Sequence, residues 1–425
     1  MGPESLTRRR AILGAGALVA VGAGAWTVRP PPISSVPEWE ERAPLPAARG
    51  EMKAAVVDDR IIVPGGMDGP TGTSTARAAS YDPAEDRWTQ LASMPAPVNH
   101  HAVATLDGVC YVLGGNASIQ SDPGSSVFAY HPDRDEWTTE TAMPDGRWGH
   151  AAVALDGTIY VCGGHTTGSH EVLAFDGQSW ERLAPIPTPR NHLVAVAHEG
   201  QVLTLAGRKG WDNVGTVEAY DPATDSWDRH DATPTPRSGA GAAAIDGAVY
   251  LAGGENPETV SGWTTDRHEV YRGNEWAEAP TLPLALHGVA SLAHEGTFYV
   301  IGGAWRQGVT SVTAWSDRVF AYSPKVNVYS GPFESRRMDS GRLSRRTMLR
   351  SAATGAVAGG PLPDRPRSSP GPGRGYTPIA LLEHLAARSG RDLRVARRSK
   401  ARDGRPIPGD RRGLQRRRLR HRRAL

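Results

Sequence analysis

Twelve side chains combine charge, hydrogen-bonding capacity or a stacking face at recurring places in this sequence. They are Arg49, Arg147, Arg190 and Arg237; Asn99 and Asn191; His101, His150, His192 and His287; and Trp148 and Trp305. A guanidinium can fork onto an anion, Asn and His can bond hydroxyls, and an indole can stack on a sugar ring. The mixture suits a carbohydrate or carboxylate ligand. A second reading competes for the arginines, because four of six equivalent places hold Arg while Val98 and Leu286 fill the others. Such a repeated Arg can equally brace neighbouring loops.

Other chemistry finds less support. His100, His101, His150, His165 and His192 fall in consecutive repeats, yet no HExxH or Cys-x-x-Cys spacing fixes them. Solvated loop histidines are the plainer reading, and no metal or cofactor is expected. There is no G-x-S-x-G elbow and no P-loop, so no catalytic residue can be assigned. Cys110 and Cys162 fall at different rows of neighbouring repeats, which argues against a disulfide and for small buried apolar roles.

The elements that must position these residues come from an internal repeat. A Trp is followed seven residues later by a Pro at Trp39, Trp88, Trp137, Trp180, Trp227 and Trp276. Gly-Gly pairs begin at Gly65, Gly114, Gly163, Gly253 and Gly302, with Ala206-Gly207 in the fourth place. The period near fifty, without helical periodicity, points to propeller blades. Within a repeat, apolar runs flank a two-residue turn, as in Ala102 to Leu106, Asp107-Gly108, then Val109 to Leu113. A third strand ends at an aromatic-x-Pro or aromatic-x-Gly turn, and a fourth carries the Trp. Four antiparallel strands per unit follow.

The Gly-Gly after an apolar strand, the aromatic-Asp-Pro turn and the Trp before an apolar residue and Pro resemble the kelch family across about 285 residues. The resemblance implies an all-β, six-bladed kelch propeller, and Arg at the first place resembles that family's consensus. The sixth unit has three strands and no Trp of its own, so the N-terminal strand at Trp39 is expected to complete the last blade. Tyr329 is the rival. Closure removes exposed sheet edges, and deleting Trp39 to Pro46 should open the ring.

Trp and Gly-Gly serve the repeat, so function is expected where units differ. The loop entering each blade and the loop between its second and third strands should emerge on one face. Aligned on the Gly-Gly, that face carries Gly50, Asn99, Trp148, Asn191, Ser238 and His287. The next column holds Glu51, His100, Gly149, His192, Gly239 and Gly288, and the one after holds Met52, His101, His150, Leu193, Ala240 and Val289. Asp68, Asn116, His165, Arg208, Glu255, Trp305 and Arg306 follow the Gly-Gly pairs.

Charge is unevenly distributed. The net +3 conceals a repeat body, residues 31 to 335, with 19 basic against 38 acidic side chains, and a tail from residue 336 with 25 basic against 6 acidic. An acidic body repels nucleic acid, which is excluded as its partner. Residues 1–25 read as a twin-arginine export signal, with Arg8-Arg9-Arg10 before a Gly/Ala-rich stretch ending in Ala23-Gly24-Ala25. The stretch is too weakly apolar for a stable membrane anchor. Residues 26–38 form a linker and 39–330 the propeller.

Residues 331–425 read as a disordered, Arg-rich tail with one short helix over 379–388. Within it, 338–360 repeats a twin-arginine-like pattern, and Tyr376 to Ile407 resembles the opening of secreted zinc carboxypeptidases without zinc ligands. A tail joined by fusion or frameshift is the expectation, with a basic binding arm as its alternative. The body is expected to be an exported monomer, periplasmic or extracellular, that binds a glycan or protein through its polar face. The alternative is a sugar-modifying enzyme like the sialic-acid mutarotases that the resemblance brings in.

Overall fold

The computed structural model describes residues 38–324, apart from 70–72, 119–120, 169 and 257–262. The leader, the tail and Tyr329 lie outside the described residues. Six four-stranded antiparallel sheets make up the body, and among the described residues there is no α-helix, only a 3-10 turn at Gly308–Thr313. We number them blades 1 to 6 by their innermost strands: Ala55–Val57, Ala102–Leu106, Ala151–Leu155, Val194–His198, Gly241–Ile245 and Ala290–His294. Each innermost strand packs against the next, and blade 6 packs against blade 1, so the circle closes.

The closing strand is the N-terminal one. Trp39–Arg42 pairs antiparallel with Val319–Tyr322, with Trp39 opposite Tyr322. The same cross-strand pair recurs in the other five blades as Tyr81 with Trp88, Tyr130 with Trp137, Phe175 with Trp180, Tyr220 with Trp227 and Tyr271 with Trp276. Ring centroids in all six pairs lie 4.6 to 5.3 Å apart. An aromatic pair contributes about 0.5–1.5 kcal/mol beyond its area burial, and the clasp keeps the same pair as the chain-continuous outer strands.

Each indole also ties its blade to the preceding one. Trp88 Nε1 donates to the Ala43 carbonyl at 2.8 Å, and the donation repeats from Trp137 to Ala92, Trp180 to Thr141, Trp227 to Ala184 and Trp276 to Asp231. Trp39 donates to the Pro280 carbonyl at 2.9 Å, which completes the circuit. Every acceptor lies four residues beyond the Trp of its own blade. The repeated Trp therefore holds blade to blade around the periphery.

The hairpins behave as their turn residues dictate. Asp107-Gly108, Asp156-Gly157, Glu199-Gly200, Asp246-Gly247 and Glu295-Gly296 all take positive φ at both positions. That is the primed turn whose twist matches the flanking strands. Blade 1 makes the same turn at Asp58-Asp59 without glycine. Cys110 and Cys162 are free and buried on second strands, where burial pushes each thiol up to about 12. Neither is poised for thiolate chemistry.

Candidate functional site

The loop entering each blade and the loop after its Gly-Gly do meet on one face. Antiparallel bridges join Gly50 with Met67, Asn99 with Asn116, Asn191 with Arg208, Ser238 with Glu255 and His287 with Ala304, and Trp148 pairs with His165 in the same way. One residue further along, the backbone forms a ring around the axis. Glu51 N–H donates to the Gly288 carbonyl, Gly288 to Gly239, Gly239 to His192, His192 to Gly149, Gly149 to His100 and His100 back to Glu51, at 2.6 to 3.0 Å.

All six members of this ring have φ between 51° and 65°. Left-handed backbone favours glycine, which fills three of the places. At Gly288 a second constraint acts, because a Cβ would meet Glu51 Oε1 at 2.6 Å. Glu51, His100 and His192 adopt the same conformation and carry their side chains into the mouth.

These three meet side chains from the loops above. Glu51 Oε2 lies 3.2 Å from His100 Nε2, and Glu51 Oε1 lies 3.7 Å from His287 Nδ1. Arg208 donates from Nη1 to Glu255 Oε1 at 2.7 Å, from Nη2 to His192 Nε2 at 2.9 Å and from Nε to Asn191 Oδ1 at 3.3 Å. His287 Nδ1 is 3.5 Å from Glu255 Oε2. The cluster borders a cavity of about 130 Å³ with Trp211 at its edge, half exposed and under the Arg208 guanidinium. Trp148 touches both His100 and His192 edge-on at 5.6 Å.

Burial alone would raise the Glu51 carboxyl, but the positive field of His100 and His287 in their protonated forms, with that of Lys53 and Arg208, outweighs it and holds the group below the ordinary carboxylate range. Burial lowers His100 despite Glu51, and burial together with Arg208 lowers His192 well below 6.5. At neutral pH the ring therefore presents an ionised carboxylate and two neutral imidazoles. The ligand atoms of Glu51, His100 and His192 all lie within 4.8 Å of one another, a set able to hold a metal ion. Beneath the ring, Lys53 and the small residues of the innermost strands line an axial cavity of about 70 Å³.

The structure divides the twelve residues singled out in the sequence. His192, His287, Asn191, Asn99 and Trp148 gather at the mouth. The arginines instead lie inside the blades: Arg49, Arg147, Arg190 and Arg237 are at most 2% exposed. Arg190 pairs with Glu218 at 2.5 Å and Arg237 with Glu269 at 2.7 Å. Arg49 donates to the Val63 carbonyl, and Arg147 to those of Gly163 and Glu171. They occupy the bracing role.

His101 and His150 are buried in the column where other blades place Met52, Leu193, Ala240 and Val289. Burial lowers both to about 3, so they are neutral packing residues. Trp305 lies under Arg306 at 4.7 Å, with its indole against the blade 5 and 6 core. Glu51, His100, Arg208 and Glu255 stood among the residues read for this face, His100 also among the histidines weighed for a metal, but outside the twelve, and Trp211 was not named. The signal for the first two was the glycine at three of six places in their column, which marks a left-handed backbone facing the axis.

Residues 33–164 and 100–303 match the sequence profile of the KLHDC2/KLHL20/DRC7 Kelch-repeats domain. The solved structure of YjhT superposes on the chain with a TM-score of 0.58 at 18% identity, covering 67% of this chain and 97% of that one. At that identity the likeness shows the fold. A search of curated proteins gave no match.

Proposed function

The chain belongs to the kelch-repeat family, and from that premise we propose that its mouth binds a small hydroxylated ligand, a glycan, met outside the cytoplasm after export by the N-terminal leader. The observation that carries this reading is the convergence of Glu51, His100, His192, Arg208, Glu255 and His287 on one cavity edged by Trp211. A sugar hydroxyl both donates and accepts. Neutral imidazoles supply both functions, the carboxylates accept and the guanidinium donates. Trp211 offers an apolar face of the kind that stacks on a pyranose.

A protein partner fits this face less well. Trp211 is the one exposed large hydrophobic among the described residues, and a protein interface needs an apolar, aromatic-rich centre over a much larger area. Glu255 already pairs with Arg208, so neutral sugars suit the mouth better than strongly acidic ones.

A second reading places catalysis at the same mouth. Anomer exchange needs one group to take the proton of the anomeric hydroxyl and another to protonate the ring oxygen. The ionised Glu51 is the group that favours this mutarotase-like alternative, as the base that takes the hydroxyl proton, with His100 at 3.2 Å able to return a proton to the ring oxygen only in its protonated form. Calorimetric titration of the full chain with a panel of neutral and acidic monosaccharides, beside an NMR measurement of anomer exchange, tests both. Saturable binding lost in Glu51→Gln without accelerated exchange supports the binding module. Acceleration lost in Glu51→Gln supports the enzyme, and neither binding nor acceleration refutes both.

A further inference from the structure

The hydrogen-bond partners of the mouth histidines fix which ring nitrogen of each is turned towards the carboxylates. Asn99 Nδ2 donates to the Asn116 carbonyl at 3.2 Å, and a carbonyl only accepts, so Asn99 Oδ1 must face His100 Nδ1. His100 therefore donates from Nδ1 and turns Nε2 towards the Glu51 carboxylate at 3.2 Å. His192 repeats the arrangement. Arg208 Nε, which only donates, fixes Asn191 Oδ1, and that oxygen takes the Nδ1 proton of His192 at 2.7 Å.

A third imidazole is turned the same way. His287 Nε2 gives its proton to the Arg306 carbonyl at 2.8 Å. Its Nδ1 is buried, has no hydrogen-bond partner and is aimed at Glu51 and Glu255, with the whole residue 2% exposed. Nitrogens turned towards carboxylates at these distances need a positive charge between them, a proton or a metal ion, and the ligand atoms of Glu51, His100 and His192 converge within 4.8 Å as a metal ion requires.

We propose that Glu51, His100 and His192 form a binding site for one divalent transition-metal ion of the zinc class. Two imidazole nitrogens and one carboxylate oxygen, each from a different blade, are a familiar ligand set for zinc, with positions left for water or a ligand. The ligands of one such ion lie about 3.3 Å apart, given zinc–nitrogen distances near 2.0–2.1 Å, and Glu51 and His100 are already at that spacing. Asn99 and Asn191 play the outer-shell part, holding each imidazole with Nε2 towards the ion. The closed backbone ring fixes the three ligand-bearing residues relative to one another.

Arg208 is the built-in competitor. Its Nη2 occupies His192 Nε2, and the ion takes that nitrogen when Arg208 releases it while keeping Glu255 through Nη1. Removing the guanidinium should therefore tighten metal binding, which a set of adventitious surface histidines would not reproduce.

The test uses untagged, chelator-treated full-length chain titrated with Zn2+ by calorimetry, and with Co2+ by its visible absorption. Asn tolerates left-handed backbone, so His100→Asn and His192→Asn keep the ring intact. The expected result is one ion per chain, affinity reduced more than about tenfold in either His variant and in Glu51→Gln, and increased in Arg208→Ala. No saturable uptake, or uptake unchanged in the His100→Asn/His192→Asn double variant, overturns the proposal. No sugar enters the experiment, so its failure leaves the glycan reading standing, and the converse holds.

Discussion

Two closed circuits of hydrogen bonds run around this propeller, one at the rim and one at the mouth. The rim circuit uses side chains, and all six are the same: Trp39, Trp88, Trp137, Trp180, Trp227 and Trp276, each donating to a carbonyl of the blade before. The mouth circuit uses backbone only, so its side chains are released from the repeat. They vary as Glu, His, Gly, His, Gly and Gly. Where geometry is held by identical side chains, sequence cannot change without loss of the fold. Where the backbone holds it, the side chains are available for ligands.

The sharpest way to break this contrast is at the clasp. Trp39 is 6% exposed and packs its ring, tilted, against those of Tyr322, Phe298 and His268. Trp39→Ala should cost about 3–5 kcal/mol in urea denaturation, and deletion of residues 39–46 should abolish the cooperative transition. A loss below about 1 kcal/mol would mean that the rim circuit does not hold the ring.

Next is the buried arginine column. Arg237 and Glu269 are 0% and 1% exposed on their side chains, so Arg237→Met strands a carboxylate in the core. The expected cost is about 3–5 kcal/mol, mostly restored by Arg237→Met/Glu269→Leu, whose two apolar groups need no partner. If Arg237→Met left stability unchanged but removed ligand binding, these arginines would belong to the site after all.

Acid gives a smaller, graded effect. His101 and His150 are held at about 3 and His268 at about 4 by burial, against 6.5 for a free imidazole. The unfolded chain takes up protons below pH 6.5 that the folded chain refuses. The stability these residues contribute is therefore complete above pH 6.5 and falls as pH drops towards 3, by up to about 1.4 kcal/mol per pH unit for each. The double variant His101→Met/His150→Leu, which borrows the residues at positions 52 and 193, should flatten that slope.

Much of the architecture was legible in the sequence because repetition reports packing. The Trp and Pro spacing, the Asp-Gly turns and the missing sixth Trp were enough to place six blades and the N-terminal clasp. The pairing of entry loops with post-Gly-Gly loops followed from strand parity. The site was harder to see. His100 and His101 are neighbours of the same type, yet one faces the axis and the other the blade interface, and only the φ of 51° at His100 decides which. Arg208 was visible as polar, but its reach to Asn191, His192 and Glu255 depends on three loops meeting. The arginine column carried a consensus signal whose cause, an internal carbonyl or carboxylate partner, lies in the fold.

The central claim is that the varied side chains on the mouth ring form a ligand site on a scaffold that does not depend on them. The direct measurement is a paired one on wild type and Glu51→Gln: Trp fluorescence titration with neutral monosaccharides, and urea denaturation of the same samples. The account predicts saturable fluorescence change in wild type, its loss in Glu51→Gln, and stabilities within about 1 kcal/mol of each other, because Gln keeps the volume of the side chain and the ring is held by backbone hydrogen bonds. Equal binding by both proteins, or a variant that loses binding only because it unfolds, would contradict it.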